Sequence, residues 1–156
     1  MRIHAVHSWD GITVEGAREI QHRLSERIVI SGSPERVRFI AAGDLAFTRD
    51  GKAYAAVVLL SYPNFEIAEV HTASESIRFP YIPGYLSFRE APLLLKLFEK
   101  LDTVPDLVMI DGQGIAHPRG LGLASHIGLF LMVPTIGVAR SRLVGQCTEP
   151  NAEKGS

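Results

Sequence analysis

The sequence predicts an α/β domain with a mixed sheet, three antiparallel meander strands plus parallel strands, flanked by helices. Three observations carry that expectation. β-forming runs follow one another across short turns, and short apolar strands then alternate with helical segments. No repeat, low-complexity tract or linker divides the 156 residues, so 1–156 is read as one domain.

Each element has its own signal. Thr13 to Ile28 sets Ala17, Ile20, Leu24 and Ile28 on one stripe, which predicts an amphipathic helix. Ser31-Gly32-Ser33-Pro34 interrupts it as a loop. Strands are expected over Val37–Phe47, Ala53–Ser61 and Glu66–Thr72, separated by Asp50-Gly51 and Tyr62-Pro63-Asn64. Ile67 and Val70 break the alternation of the third strand. Connections this short require antiparallel neighbours. A helix follows Pro80-Tyr81-Ile82-Pro83-Gly84 and runs to about Leu101. Leu107–Ile110 is a continuous apolar strand of the kind buried on both faces. Gly120–Met132 reads as an apolar helix and Thr135–Ala139 as a last strand. A β-meander feeding right-handed crossovers is the ribonuclease-H-like arrangement.

Composition restricts the function classes. A hydrophobic fraction of 46% and a charged fraction of 21% are those of an ordinary soluble globular chain. No apolar run approaches the roughly 20 residues that cross a bilayer, and Met1-Arg2-Ile3-His4 lacks a secretory core. The single Cys147 excludes an internal disulfide and fits a reducing compartment. A cytoplasmic monomer without membrane contact is the expectation. The net charge of -1 is compatible with a nucleic-acid partner if basic residues cluster on one face. Arg119, Arg140 and Arg142, near glycine-rich loops, could form such a cluster or be scattered surface charges.

Three carboxylates stand out. Asp44 interrupts the apolar strand Ile40–Phe47, where an ionised group is costly unless paired or bound to metal; a turn-bonded strand-end Asp is the bland alternative. Asp111 closes Leu107–Ile110 and opens Gly112-Gln113-Gly114, at the strand end where ligands of open α/β sheets gather. It also suits an ordinary glycine turn. Glu90 shares a helical face with Leu94, Leu97 and Leu101. Ser87-Phe88-Arg89-Glu90 fits a capping box, although Pro92 would then fall past the first turn. If the sheet brings the three together, a hard oxygen donor set selects magnesium, with manganese able to substitute, over zinc. The reaction class that fits is phosphodiester hydrolysis. His126, amid apolar residues, reads as a packed, hydrogen-bonded histidine, and His117, before Pro118, as the better site candidate. The glycines complete neither a P-loop nor a dinucleotide fingerprint.

Four blocks then resemble endonuclease V. They are Gly43-Asp44-Leu45, then Phe79-Pro80-Tyr81-Ile82-Pro83-Gly84 with Ser87–Glu90, then Asp111–Arg119 continuing through Leu121–His126, and finally Pro134–Ala139 with Ser141-Arg142-Leu143. The resemblance extends from about Trp9 to Cys147. It implies a magnesium-dependent repair endonuclease that cuts DNA on the 3′ side of deaminated bases, chiefly deoxyinosine, and in some members RNA. It implies that Asp44, Glu90 and Asp111 hold the metal and that Arg140 belongs to the catalytic set. Tyr81, Ile82 and Pro83 would form a wedge that fills the gap when the lesion is turned out. Gly84, Leu86, Gly112, Gly114, Gly122 and Leu143 would line the pocket for the flipped base, with Gln113 and His117 beside it; glycines let main-chain groups read a base edge.

Two departures bear on activity. Arg140 stands where the family usually has lysine, which keeps the charge but replaces a compact ammonium with a planar fork. The family also continues beyond the point where this sequence stops, with further strands, a helix and a histidine near the metal. Besides DNA repair, the resemblance therefore leaves an inosine-specific ribonuclease and a binding module without catalysis as alternatives, and impaired turnover is expected of these 156 residues.

Overall fold

A computed structural model describes residues 1–154. The elements are α1 (Val14–Ser25), β1 (Phe39–Phe47), β2 (Lys52–Ser61), β3 (Ile67–Ser76), α2 (Leu86–Glu99), β4 (Leu107–Asp111), α3 (Leu123–Leu131) and β5 (Thr135–Val138). The strands form one sheet in the order β3-β2-β1-β4-β5. β1, β2 and β3 pair antiparallel, whereas β4 joins β1, and β5 joins β4, in parallel. This is the ribonuclease-H-like architecture that the order of elements predicts.

The core lies on one face of the sheet. Ala41 of β1, Val57 and Leu59 of β2, and Val108 and Ile110 of β4 point into it. α2 covers the meander strands and α3 covers β4 and β5. Leu94, Leu97, Phe98, Ile127 and Phe130 supply the helical side of the layer. Each such fully buried side chain contributes roughly 1.5–3 kcal/mol through loss of apolar surface to water. The chain before α1 is tied to this layer: the His4 amide donates to Phe130 O at 2.8 Å, and Trp9 stacks on the Phe130 ring.

Several boundaries depart from the sequence expectation. α1 starts as predicted, with Thr13 Oγ1 accepting from the Gly16 amide, but ends at Ser25, leaving Ile28 outside. Its buried stripe is Ala17, Gln21 and Leu24, one register position away from Ile20. β1 begins at Phe39, two residues later than expected, and β3 runs on to Ser76. The broken alternation in β3 has a cause. Leu59 faces Glu69 while Leu60 faces Ile67, so Ala68 is an extra residue that resets the phase. β4 alternates between buried and half-buried residues instead of being enclosed on both faces, because both helices lie on the same side. α3 opens at Leu123; Gly120 has φ of 67° and belongs to the preceding loop. Ser87 is no helix cap, for α2 begins at Leu86 with Tyr85 before it, and its hydroxyl bonds His126 instead. No helix among the described residues is long and apolar enough to cross a membrane.

Candidate active site

The parallel pairing of β1 with β4 determines where the acids meet. Gly43 is the partner of Ile110, so Asp44, the next residue of β1 and itself paired with Ala56 of β2, comes next to Asp111, the last residue of β4. α2 passes close to this end of β1, since a Cβ at Gly43 would lie 3.1 Å from Leu94 and 3.3 Å from Phe98. Four residues before Leu94 on α2, Glu90 lies near enough for Asp44 and Asp111 to act on its charge.

The three carboxylates differ in environment. Asp44 is exposed, so the burial cost expected from its apolar strand does not arise; its Oδ1 accepts from the Leu45 amide at 2.7 Å. Asp111 is half-buried and pairs loosely with Arg140, at 3.6 Å between Oδ2 and the guanidinium. That pair is solvent-screened and contributes about 0–1 kcal/mol. Glu90 is 9% exposed and has no hydrogen bond or ion pair among the described residues. Burial, opposed by Arg89 and reinforced by Asp44 and Asp111, pushes its carboxyl up to about 7. A buried acid without a partner, within electrostatic reach of two others, is the chemical setting of a hard divalent cation. The side chains do not yet encircle one point. Among the described residues, no group of three His, Cys, Asp or Glu converges closely enough to hold an ion.

A second group of residues surrounds Gly84. This glycine has φ of 80° and ends the Phe79–Gly84 loop just before α2. Its carbonyl accepts from Gln21 Nε2 at 2.9 Å, His117 Nε2 at 3.0 Å and an Arg119 guanidinium nitrogen at 2.7 Å. His117 is buried, and its Nδ1 accepts from the Arg119 amide, so the ring is neutral with its proton on Nε2. Burial and the Arg119 charge both hold its pKa below the usual imidazole value. Arg119 thus turns inward, over the Tyr85 ring, and does not join Arg140 and Arg142 as an outward basic cluster. Tyr81 between these fixed points is 70% exposed, Pro83 is exposed, and Ile82 and Leu86 are half-buried.

The glycine loops form a wall of main chain. The Gly122 amide donates to Gly114 O and the Ala124 amide to Gln113 O, which ties the start of α3 to the Gly112–Gly114 turn. A Cβ on Gly122 would collide with the Gln113 carbonyl, and one on Gly137 would lie 2.6 Å from Gly112 O. Gln113 reaches across to Ser141 O at 2.7 Å. Leu143 is half exposed in the loop after β5, and among the described residues no hydrogen bond draws it to this wall.

Two residues were not singled out from sequence. Gln21 is fully buried on α1, and Arg89 bonds Phe79 O at 3.1 Å while lying 4.4 Å over the Phe47 ring. A polar residue on the apolar stripe was the available signal for Gln21; Arg89 had none, because its partners are distant in sequence.

Comparison with known proteins agrees with this geometry. Residues 22–156 match the family described as Endonuclease V. The chain is 46% identical to an endonuclease V of Dehalococcoides mccartyi, over all of this chain and 70% of that protein. The crystal structure of endonuclease V from Bacillus subtilis superposes with a TM-score of 0.88 at 32% identity, covering 98% of this chain and 68% of that one. The Ciona intestinalis endonuclease V, solved with a DNA containing an inosine followed by a ribo-adenosine, gives 0.76 at 29% identity, over 83% of this chain and 59% of that one. With the sheet order, the acids of the neighbouring strands β1 and β4 and these matches in agreement, the chain belongs to the endonuclease V family.

Proposed function

We propose that this chain serves a magnesium-dependent endonuclease that hydrolyses a phosphodiester bond of DNA on the 3′ side of a deaminated base, chiefly deoxyinosine. The observation that carries the reading is Glu90, buried and unpartnered among the described residues, within electrostatic reach of Asp44 in β1 and of Asp111 at the end of the parallel strand β4. The inosine-containing DNA bound by the Ciona relative supports the substrate.

Asp44, Glu90 and Asp111 would hold the ion. When bound, such a cation acidifies an attacking water and offsets charge gathering on the phosphoryl oxygens, and manganese can replace magnesium in that work. The rest falls to the chain's own groups. Arg140, almost fully exposed, can leave Asp111 to take a phosphate oxygen through its fork. Tyr81, standing out from a loop held at both ends, can stack into the space a displaced base leaves. The main chain around Gly112, Gly114 and Gly122 can read the edge of that base, since a glycine brings no side chain of its own between backbone and ligand. Extrusion costs a few kcal/mol and least for a mispaired base, which itself favours lesions.

The test is magnesium-dependent nicking of an inosine-containing duplex beside the same duplex unmodified. Equal cutting of both would overturn the lesion specificity, and nicking undiminished in a chelator would overturn the metal. The ribo-adenosine after the inosine in the Ciona complex favours a second reading, inosine-containing RNA, which a matched single-stranded RNA decides.

A further inference from the structure

We infer that Gln21 is a positioning residue that fixes the Tyr81 wedge by clamping its exit at Gly84. The inference rests on the reading of Phe79–Gly84 as a wedge, but its structural half stands without it. Gln21 sits on the inward stripe of α1 between Ala17 and Leu24, all three fully buried. A hydrocarbon there would suffice to pack the helix, and an amide is costly unless bonded. The amide is bonded throughout: Nε2 donates to Gly84 O at 2.9 Å and to Leu121 O at 3.4 Å, and Oε1 accepts from Arg119 Nε at 2.5 Å. Carbonyls only accept and a guanidinium only donates, so the partners determine which way the amide faces.

One side chain therefore joins three segments: α1, the wedge and the loop leading to α3. Arg119, aligned by Gln21, adds its own bond to Gly84 O and lies 4.4 Å over the Tyr85 ring. At the other end of the wedge, Arg89 holds Phe79 O. Pro80 and Pro83 restrict the backbone between them. The result is an exposed aromatic on a loop whose exit is clamped by partly buried bonds, those of Arg119 charge-assisted. Such a clamp orders the wedge before nucleic acid arrives, which favours binding of the form with an extruded base. Gln21 touches neither substrate nor the reacting atoms.

The test uses the full chain with Gln21→Leu, which keeps the volume and removes the bonds. Arg119→Lys is the second variant, because an ammonium cannot span both Gln21 and Gly84 while stacking on Tyr85. Backbone ¹⁵N relaxation of Ile82, Gly84 and Tyr85 is compared with that of β1 and β2. The expected order parameters are about 0.85 in the parent and below about 0.6 at these three positions in a variant, with the strands unchanged. Three rigid amides in a folded variant, or loosening spread evenly over the domain, would overturn the clamp. Equilibrium binding of an inosine duplex and its unmodified counterpart supplies the functional readout. The preference for inosine should fall roughly tenfold in Gln21→Leu; a loosened wedge with an unchanged preference would overturn the link to recognition. A parent that binds both duplexes equally would instead sink the substrate reading, and the relaxation data would still decide the clamp.

Discussion

His126 and His7, 119 positions apart, share a hydrogen bond of 2.8 Å between their Nε2 atoms. The direction of the chain of bonds follows from its ends. Ser8 O can only accept, so His7 carries its proton on Nδ1 and accepts on Nε2. His126 must then donate from Nε2, which leaves its Nδ1 to accept from the Ser87 hydroxyl at 2.9 Å. Trp9, Phe88 and Phe130 pack around the pair. Burial holds both rings neutral: it lowers His7, against the Ser8 bond and with some help from the Arg23 charge, and together with the charge of His7 it pushes His126 down to about 3.

This arrangement predicts an acid-sensitive domain. A histidine whose folded pKa lies below its unfolded value stabilises fully above about 6.5 and progressively less as pH falls from there towards 3. Thermal unfolding followed downward from pH 7 should show a loss from His126 that approaches about 1.4 kcal/mol per pH unit once the pH is well below 6.5. His126→Gln should be less stable at pH 7 and show a shallower slope. An unchanged slope would refute the assignment.

Glu90 predicts the opposite dependence. Its raised pKa favours the protonated fold, so its contribution is present below about 4.5 and lost as pH rises through about 7. Without divalent ions, Glu90→Gln should be more stable than the parent by about 3 kcal/mol at pH 8 and by almost nothing at pH 4.5. Urea unfolding at the two pH values measures it.

A cation should reverse that penalty. Magnesium at a hundredfold excess over its dissociation constant should stabilise the parent by about 2.7 kcal/mol, with manganese acting similarly. Glu90→Gln and Asp111→Asn should lose most of the gain, and a chelator should abolish it. Differential scanning calorimetry with and without the ion is the direct check, independent of turnover.

Much of this was legible in the sequence because it depends on local pattern. Asp111 ends an apolar strand before a glycine turn, and helical spacing alone puts Glu90 on the stripe of Leu94 and Leu97. What escaped depends on tertiary partners. Ser87 and Glu90 have the spacing of a capping box, yet α2 opens one residue before Ser87 and gives its hydroxyl to His126. Asp44 looked costly because its strand is apolar, but strand composition does not reveal that its face of the sheet is open at that end. Gln21 showed only as a polar residue spaced between Ala17 and Leu24, and its role stayed out of reach because its partners Gly84 and Arg119 lie 63 and 98 residues away.

Tyr81 should matter for recognition alone. At 70% exposure its replacement by alanine removes no core contact, so stability should change by less than about 0.5 kcal/mol. Discrimination between inosine and unmodified duplexes should nonetheless drop. A large fall in Tm would contradict the exposed placement.

The glycines offer a steric test. Gly122 has ordinary extended dihedrals, so Gly122→Ala acts only through the collision of its Cβ with Gln113 O. It should cost about 3 kcal/mol or shift the Gly112–Gly114 turn. Gly145→Ala, in open space at φ of 88°, should cost only about 1–2 kcal/mol from backbone strain. Chemical denaturation of the two variants separates them.

The contact of Gly137 with Gly112 O and the Gly114 amide, each 2.6 Å from an added Cβ, has a consequence for how such a protein can change. A surface made of side chains can be retuned one substitution at a time. A surface made of abutting backbones offers mutation little to adjust without moving β5 against the β4 turn. New specificity at this wall would therefore come through altered loop lengths or rebuilt turns, and point substitutions would mainly break it.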